Sequence, residues 1–223
     1  MIGQSNMAGR GRLTDIPPVK NERLFMLRNG RWRPLAEPVN YDRPFSGTCL
    51  AASFADEYSR YFGCDTGLIP CADGGTSLED WAVDDQLYSH AVNETLLAMR
   101  ISEVKGILWH QGEADSKKEE TALSYEKRFM PIITALKEEC SLENVPVIMG
   151  ELGQFLSGYK QGECQFFHLV NRALADIAVK YPGFAFASSI GLSSNGDDLH
   201  FNALSLKEFG KRYFTEYLRL AGD

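Results

Sequence analysis

The sequence predicts an α/β fold: a mostly parallel sheet with helices on both faces. Three observations predict it. Short apolar runs alternate with longer segments whose apolar residues recur at helical spacing, the pattern of strand–helix–strand units. The runs are apolar almost throughout, as strands buried on both faces must be. Three unusual polar clusters each follow one of these runs, and a fourth lies in the last loop. Sites in such sheets form beyond the carboxyl ends of the strands.

Taken in order, residues 14–48 are proline-rich and resist assignment; they read as a rim loop with a short hairpin near 24–32. Residues 49–62 read as a helix and 66–72 as a strand. A helix over 84–101 leads to a strand over 104–111. A helix over 124–139 leads to a strand over 145–151. In 166–181, Phe166, Leu169, Val170, Ala173, Leu174, Ile177 and Ala178 form one apolar stripe, the mark of a helix packed on a sheet. A strand over 184–188 and a helix over 203–220 complete the chain.

A chain of 223 residues is long enough for one full core, and a single domain over 1–223 is expected. Its composition, 44% hydrophobic and 24% charged, is that of a soluble globular protein. The net charge of −7 disfavours nucleic acid and anionic membranes as partners. No apolar run approaches the ~20 residues of a membrane span. No signal peptide is visible, so the cytoplasm is the expected location of the sequence as it stands, which an upstream start would change. The five cysteines form no CxxC pair and read as free thiols. No feature assigns an oligomeric state.

Four clusters carry chemistry. The first is Gly3-Gln4-Ser5-Asn6-Met7-Ala8-Gly9. A serine between a strand end and a helix start is either an N-cap or a nucleophile whose own N–H helps bind an oxyanion. The second is Asp197-Asp198-Leu199-His200-Phe201. An imidazole is a good base near neutral pH, and a carboxylate three residues earlier can fold back to its Nδ1. The plain alternative is a loop histidine ahead of a helix capped by Asn202. His90 and His168 lie inside helical patterns and take the plain reading.

The third cluster runs Trp109-His110-Gln111-Gly112-Glu113-Ala114-Asp115. Gln111 has an amide to offer an oxyanion, and Glu113 has a carboxylate to orient His200 or a substrate hydroxyl. The two carboxylates equally suit the start of the next helix. His110, Glu113, Asp115 and His200 are all metal-ligating types, but the His-x-x-Glu-x-Asp spacing is not that of zinc helices, and no metal or cofactor is expected. The fourth is Cys71-Ala72-Asp73-Gly74-Gly75-Thr76-Ser77-Leu78-Glu79-Asp80-Trp81. Its glycines permit a tight turn and close backbone approach. No Lys-Ser/Thr follows, so it is not a phosphate loop. Trp81 is either core or a flat wall for a sugar ring.

GQSNMAGRG, GGT-x-L-x-x-W, WHQGEAD and D-x-L-H-F-N occur in the order found in the SGNH-hydrolase superfamily. More narrowly, the chain resembles carbohydrate esterase family 6 and the sialate O-acetylesterase-like proteins from Gly3 to about Asn202. The resemblance implies a flavodoxin-like three-layer α/β/α sandwich on a mostly parallel five-stranded sheet. It implies a metal-free serine esterase acting on acetylated carbohydrate, such as acetylated xylan or O-acetyl sialic acid. Ser5 would be the nucleophile, His200 the base and Asp197 the acid, with Glu113 as the alternative acid. The oxyanion donors would be the N–H of Ser5, the N–H of Gly75 or Gly74, and the Gln111 side chain. Gln4, Asn6, Thr76, Trp81 and His110 are expected to line the substrate. The family has a hydrophobic strand before GQSN; here only Met1 and Ile2 stand there, so a truncated first strand is expected.

Overall fold

In the computed structural model, which describes residues 1–222, four parallel strands form the central sheet in the order β1-β5-β6-β7. These are β1 (Ile2–Gly3), β5 (Ile107–His110), β6 (Val147–Gly150) and β7 (Phe184–Ala187). A second sheet, in the order β3-β2-β4, joins β2 (Leu24–Arg28), β3 (Arg31–Pro34) and β4 (Thr66–Leu68). The antiparallel pair of β2 and β3 is the hairpin expected near 24–32.

The strand expected over 66–72 is divided. Its first part is β4, which pairs with β2 rather than with the central sheet. Its continuation runs beside β1: the Met1 amino group donates to the Ile69 carbonyl, Cys71 N–H to Met1 and Asp73 N–H to Gly3, at 3.0 to 3.1 Å. Pro70 lies at the break and has no N–H to give a ladder. The expected five-stranded sheet is therefore four strands plus an irregular edge that ties the two sheets together. β1 has two residues.

The helices are α1 (Ser5–Ala8), α2 (Leu50–Phe62), α3 (Gln86–Met99), α4 (Glu119–Leu123), α5 (Tyr125–Glu139), α6 (Phe167–Lys180) and α7 (Ala203–Ala221). Sheet residues alternate faces, and the two cores follow that alternation. Ile107, Trp109, Val147 and Met149 pack with residues of α3, α5 and α6. Leu108 and Ile148 pack with residues of α1, α2 and α7. This is the three-layer arrangement, and it leaves the carboxyl ends of the strands facing one rim. The five long helices lie within two residues of their sequence-expected bounds. α4 was not expected: it is a five-residue turn that the periodicity of so short a segment does not reveal. Among the described residues no helix is long and apolar enough to cross a membrane. Burial pushes the thiols of Cys49 and Cys71 up to about 12.

Candidate active site

Ser5 stands where β1 turns into α1. Gly3 makes the turn possible: its φ is +131°, and a Cβ there would lie 2.1 Å from the His110 carbonyl oxygen. Gln4 N–H then donates to that carbonyl at 2.9 Å, and the Gln4 carbonyl accepts the first helical bonds from Met7 and Ala8. The N-cap position belongs to Gln4, so Ser5 lies inside the first turn and caps nothing. Its hydroxyl, on a residue only 5% exposed, sits 3.0 Å from His200 Nε2.

The His200 loop folds on itself. Asp198 adopts φ +55°, which Asp tolerates better than most residues. That turn lets Asp197 reach forward: Oδ1 accepts the N–H of Leu199 at 2.9 Å and of His200 at 2.8 Å, and Oδ2 lies 2.6 Å from His200 Nδ1. Burial pushes the Asp197 carboxyl up, but the His200 backbone N–H, the His200 ring and the Leu199 N–H outweigh it and hold its pKa below the usual aspartate value. The Asn195 N–H closes the loop onto the His200 carbonyl at 2.8 Å.

The unassigned proline-rich segment proves to be a clamp on the Gly74–Gly75 turn. Asn40 bonds both the carbonyl and the N–H of Ala72. Asp42 takes the Arg10 guanidinium in a two-pronged pair (3.1 and 2.6 Å), and its Oδ2 also accepts the Gly74 N–H at 2.8 Å. Both side chains are nearly buried, at 6% and 2% exposed. Arg43 reaches the Gly74 carbonyl and Asp73. Gly75 itself is exposed, with φ +85°. Beside the clamp, Tyr41 and Phe45 hold their rings 68% and 69% exposed, and the Arg10 guanidinium lies over the Phe45 ring at 5.3 Å.

Behind Ser5, the third cluster is a buried polar network. Gln111 donates to Asp115 at 2.6 Å, to the Thr76 carbonyl at 3.0 Å and to Gln4 Oε1 at 3.3 Å. Asp115 also accepts the Leu78 N–H and pairs with Arg128 at 2.6 Å. Glu113 accepts from Asn6 at 2.5 Å and lies 3.5 Å from His110 Nε2.

These distances bring a hydroxyl, an imidazole and a carboxylate into line at the strand ends. Residues 1–219 match the family model described as carbohydrate esterase, sialic acid-specific acetylesterase. The chain belongs to this carbohydrate esterase family. A probable carbohydrate esterase of Arabidopsis thaliana is 26% identical over 98% of this chain and 88% of its own length. Its X-ray structure superposes with a TM-score of 0.87, covering 98% of this chain and 96% of that one. A carbohydrate acetylesterase from Xanthomonas citri (TM-score 0.73, 19% identity, 100% of this chain and 56% of that one) shares the fold. So does a lipase from a goat rumen metagenome (TM-score 0.60, 11% identity, 99% and 95% covered).

Within this carbohydrate esterase, several expected roles need correction. Gln111 is fully buried and its two amide hydrogens face three protein acceptors, so it is not placed to donate to an oxyanion. Gly74 gives its N–H to Asp42 and is likewise taken. Trp81 is 1% exposed, packs edge-on against Trp109 and donates to Thr76; it is core, not a sugar wall. Thr76 spends its hydroxyl on the Asp73 carbonyl. His110 is buried against Tyr213, Phe201 and Phe209 and does not face substrate. Asn6, 1% exposed, and the carbonyl oxygen of Gln4's side chain are both committed to the protein. Among the described residues Glu113 has no hydrogen bond or ion pair with His200; Asp197 does.

Sequence reasoning missed Arg10, Asn40, Asp42, Arg43 and Arg128. The bonds from Asn40, Asp42 and Arg43 span 30 to 32 residues, so no short motif announces them. A cavity of about 630 Å³ lies at the amino ends of the strands, its lining including Met1, Val104 and Gly106 but neither Ser5 nor His200.

Proposed function

We propose that this carbohydrate esterase removes O-acetyl groups from sugars through an acetyl-enzyme on Ser5. The observation that carries the proposal is the line Ser5 Oγ–His200 Nε2–His200 Nδ1–Asp197 Oδ2, with separations of 3.0 and 2.6 Å. His200 takes the Ser5 proton as the oxygen attacks the acetyl carbonyl. Asp197 holds the tautomer with Nδ1 protonated and steadies the imidazolium that forms. The tetrahedral oxyanion meets the N–H groups of Ser5 and Gly75, neither of which has a partner among the described residues. The C–O bond to the sugar breaks, and His200 passes its proton to the departing hydroxyl. Water then attacks the acetyl-serine as His200 takes its proton; the C–O bond to Ser5 breaks, His200 returns the proton to Ser5 Oγ, and acetate leaves.

Two features support a carbohydrate as the leaving group. The family match is to carbohydrate esterases, and the Tyr41 and Phe45 rings are open beside the Gly74–Gly75 turn. A pyranose presents axial C–H bonds to the electron-rich face of such a ring. Acetylated xylan and O-acetyl sialic acid are the substrates we propose first.

Ser5→Ala is expected to reduce aryl acetate turnover by at least about 10³-fold with the melting temperature preserved. Equal rates for the two proteins would overturn the mechanism. Acetyl esters are expected to turn over at least about tenfold faster than butyrate or longer esters, since an added chain needs a pocket to fill; the reverse preference would point to a lipase.

A further inference from the structure

Resting on the reading of Ser5 and His200 as nucleophile and base, we propose that Asn6 and Glu113 are positioning residues for His200. The buried Glu113 carboxylate fixes the orientation of the Asn6 amide, and that amide grips the backbone on both sides of the base.

Asn6 follows the nucleophile on the first turn of α1 and is 1% exposed. Its Nδ2 donates to the Leu199 carbonyl at 3.2 Å, and its Oδ1 accepts the Phe201 N–H at 3.1 Å. Leu199 and Phe201 are the neighbours of His200 in the chain, so one side chain holds the base by its two shoulders. The residue beside the nucleophile is therefore also the residue that sets where the base stands. The His200 loop has its own internal bonds, but the direct ties between it and α1 are these two and the Ser5–His200 bond.

An asparagine amide can be turned end for end with little change in shape, and only its partners decide which end is which. An ionised carboxylate only accepts. Glu113 Oε1, 2.5 Å from Asn6 Nδ2, therefore forces the NH₂ end toward itself and toward the Leu199 carbonyl. The oxygen end is left for the Phe201 N–H. In the flipped state the amide oxygen would face a carboxylate and a carbonyl, and its NH₂ would face an N–H. Burial pushes the Glu113 carboxyl up, but the His110 ring at 3.5 Å and the Asn6 amide outweigh it and hold it below the usual glutamate range. His110 is in turn held by Tyr213, whose hydroxyl lies 3.1 Å from its Nδ1. The carboxylate is 2% exposed, and among the described residues it has no hydrogen bond or ion pair with Ser5 or His200.

The test compares Asn6→Ala, Glu113→Ala and Glu113→Gln with wild type. The readouts are kcat and KM on an aryl acetate, the rate of irreversible Ser5 labelling by a fluorophosphonate, and the melting temperature. Asn6→Ala and Glu113→Ala are expected to lower kcat and the labelling rate by about 10- to 100-fold with KM nearly unchanged, as small misplacements of a catalytic group do. Glu113→Gln keeps an oxygen for Asn6 Nδ2 and is expected to recover at least about a third of the wild-type kcat. Equal impairment of the Gln and Ala variants would show that the charge itself is needed and would overturn the positioning role. So would wild-type kcat and labelling rate in Asn6→Ala, whatever its melting temperature. If Glu113→Ala does not fold, Asn6→Ala decides, since it removes the same grip from the other side. Fluorophosphonate labelling is blind to the carbohydrate. A wild type that labels but deacetylates no glycan overturns the proposed substrate and leaves the positioning role to be judged on labelling; a wild type that does not label overturns both.

Discussion

At the scale of single residues, Asp197 and Asp42 show how position decides what a carboxylate does. Both have pKa values held below the usual aspartate range against the pull of burial. Asp197 does so at a half-exposed loop, where its partner is the proposed base. Replacing it with Asn leaves the bonds to the backbone N–H groups of Leu199 and His200 in place but favours the wrong imidazole tautomer. Asp197→Asn should lower kcat by about 10³–10⁴-fold with little change in melting temperature, measured side by side with Ser5→Ala. A loss under tenfold would remove Asp197 from the line. Asp42 is buried opposite Arg10, and its loss strands a guanidinium. Asp42→Ala should cost about 3–5 kcal/mol in urea unfolding, and a change below about 1 kcal/mol would show that the clamp is ornamental. Ser5, His200 and Asp197 were legible in the sequence because each lies in a short motif whose chemistry is local. The Arg10–Asp42 pair was not, because its partners lie 32 residues apart and pair only once the fold exists.

At the scale of elements, the strand-to-helix turns set the site. β1 has only two residues, and it delivers Ser5 because Gly3 can pass within contact distance of the β5 backbone. Gly3→Ala places a methyl group 2.1 Å from the His110 carbonyl oxygen in a backbone region that side chains disfavour. It should unfold the protein or move α1 enough to abolish fluorophosphonate labelling. A variant that labels normally and melts within about 2 °C of wild type would contradict this account of the turn. Long helices and buried strands were legible from their apolar periods. The division of residues 66–73 was not, since apolar runs do not say which sheet they join, and the ladder break at Pro70 falls in mid-run. The short turns α4 and Gln154–Gln161 carry too few residues for a period to be read.

At the scale of the whole molecule, the polar groups that build the site also tie the rim to the two cores, so acid should loosen both. Asp42, Glu113 and Asp197 each have a folded pKa below the unfolded value. Their contribution to stability is fully present above the unfolded values and is lost as pH falls through the folded ones. Glu37 and Glu216 work the other way: burial raises their pKa, so their penalty at neutral pH is relieved on acidification. The three lowered groups each have a named hydrogen-bonding partner and should dominate. Melting temperature should hold from neutral pH to about 5 and fall steeply below about 4. A melting temperature that rises below pH 4 would contradict this balance.

On the proposed mechanism, one serine beside a two-residue strand carries acetyl groups taken from sugars. The decisive measurement is acetate release from acetylated xylan and from O-acetyl sialic acid, wild type against Ser5→Ala. Wild type should free acetate from at least one of them, and the variant should be slower by at least about 10³-fold. Undiminished release by the variant would exclude Ser5 as the acetyl carrier.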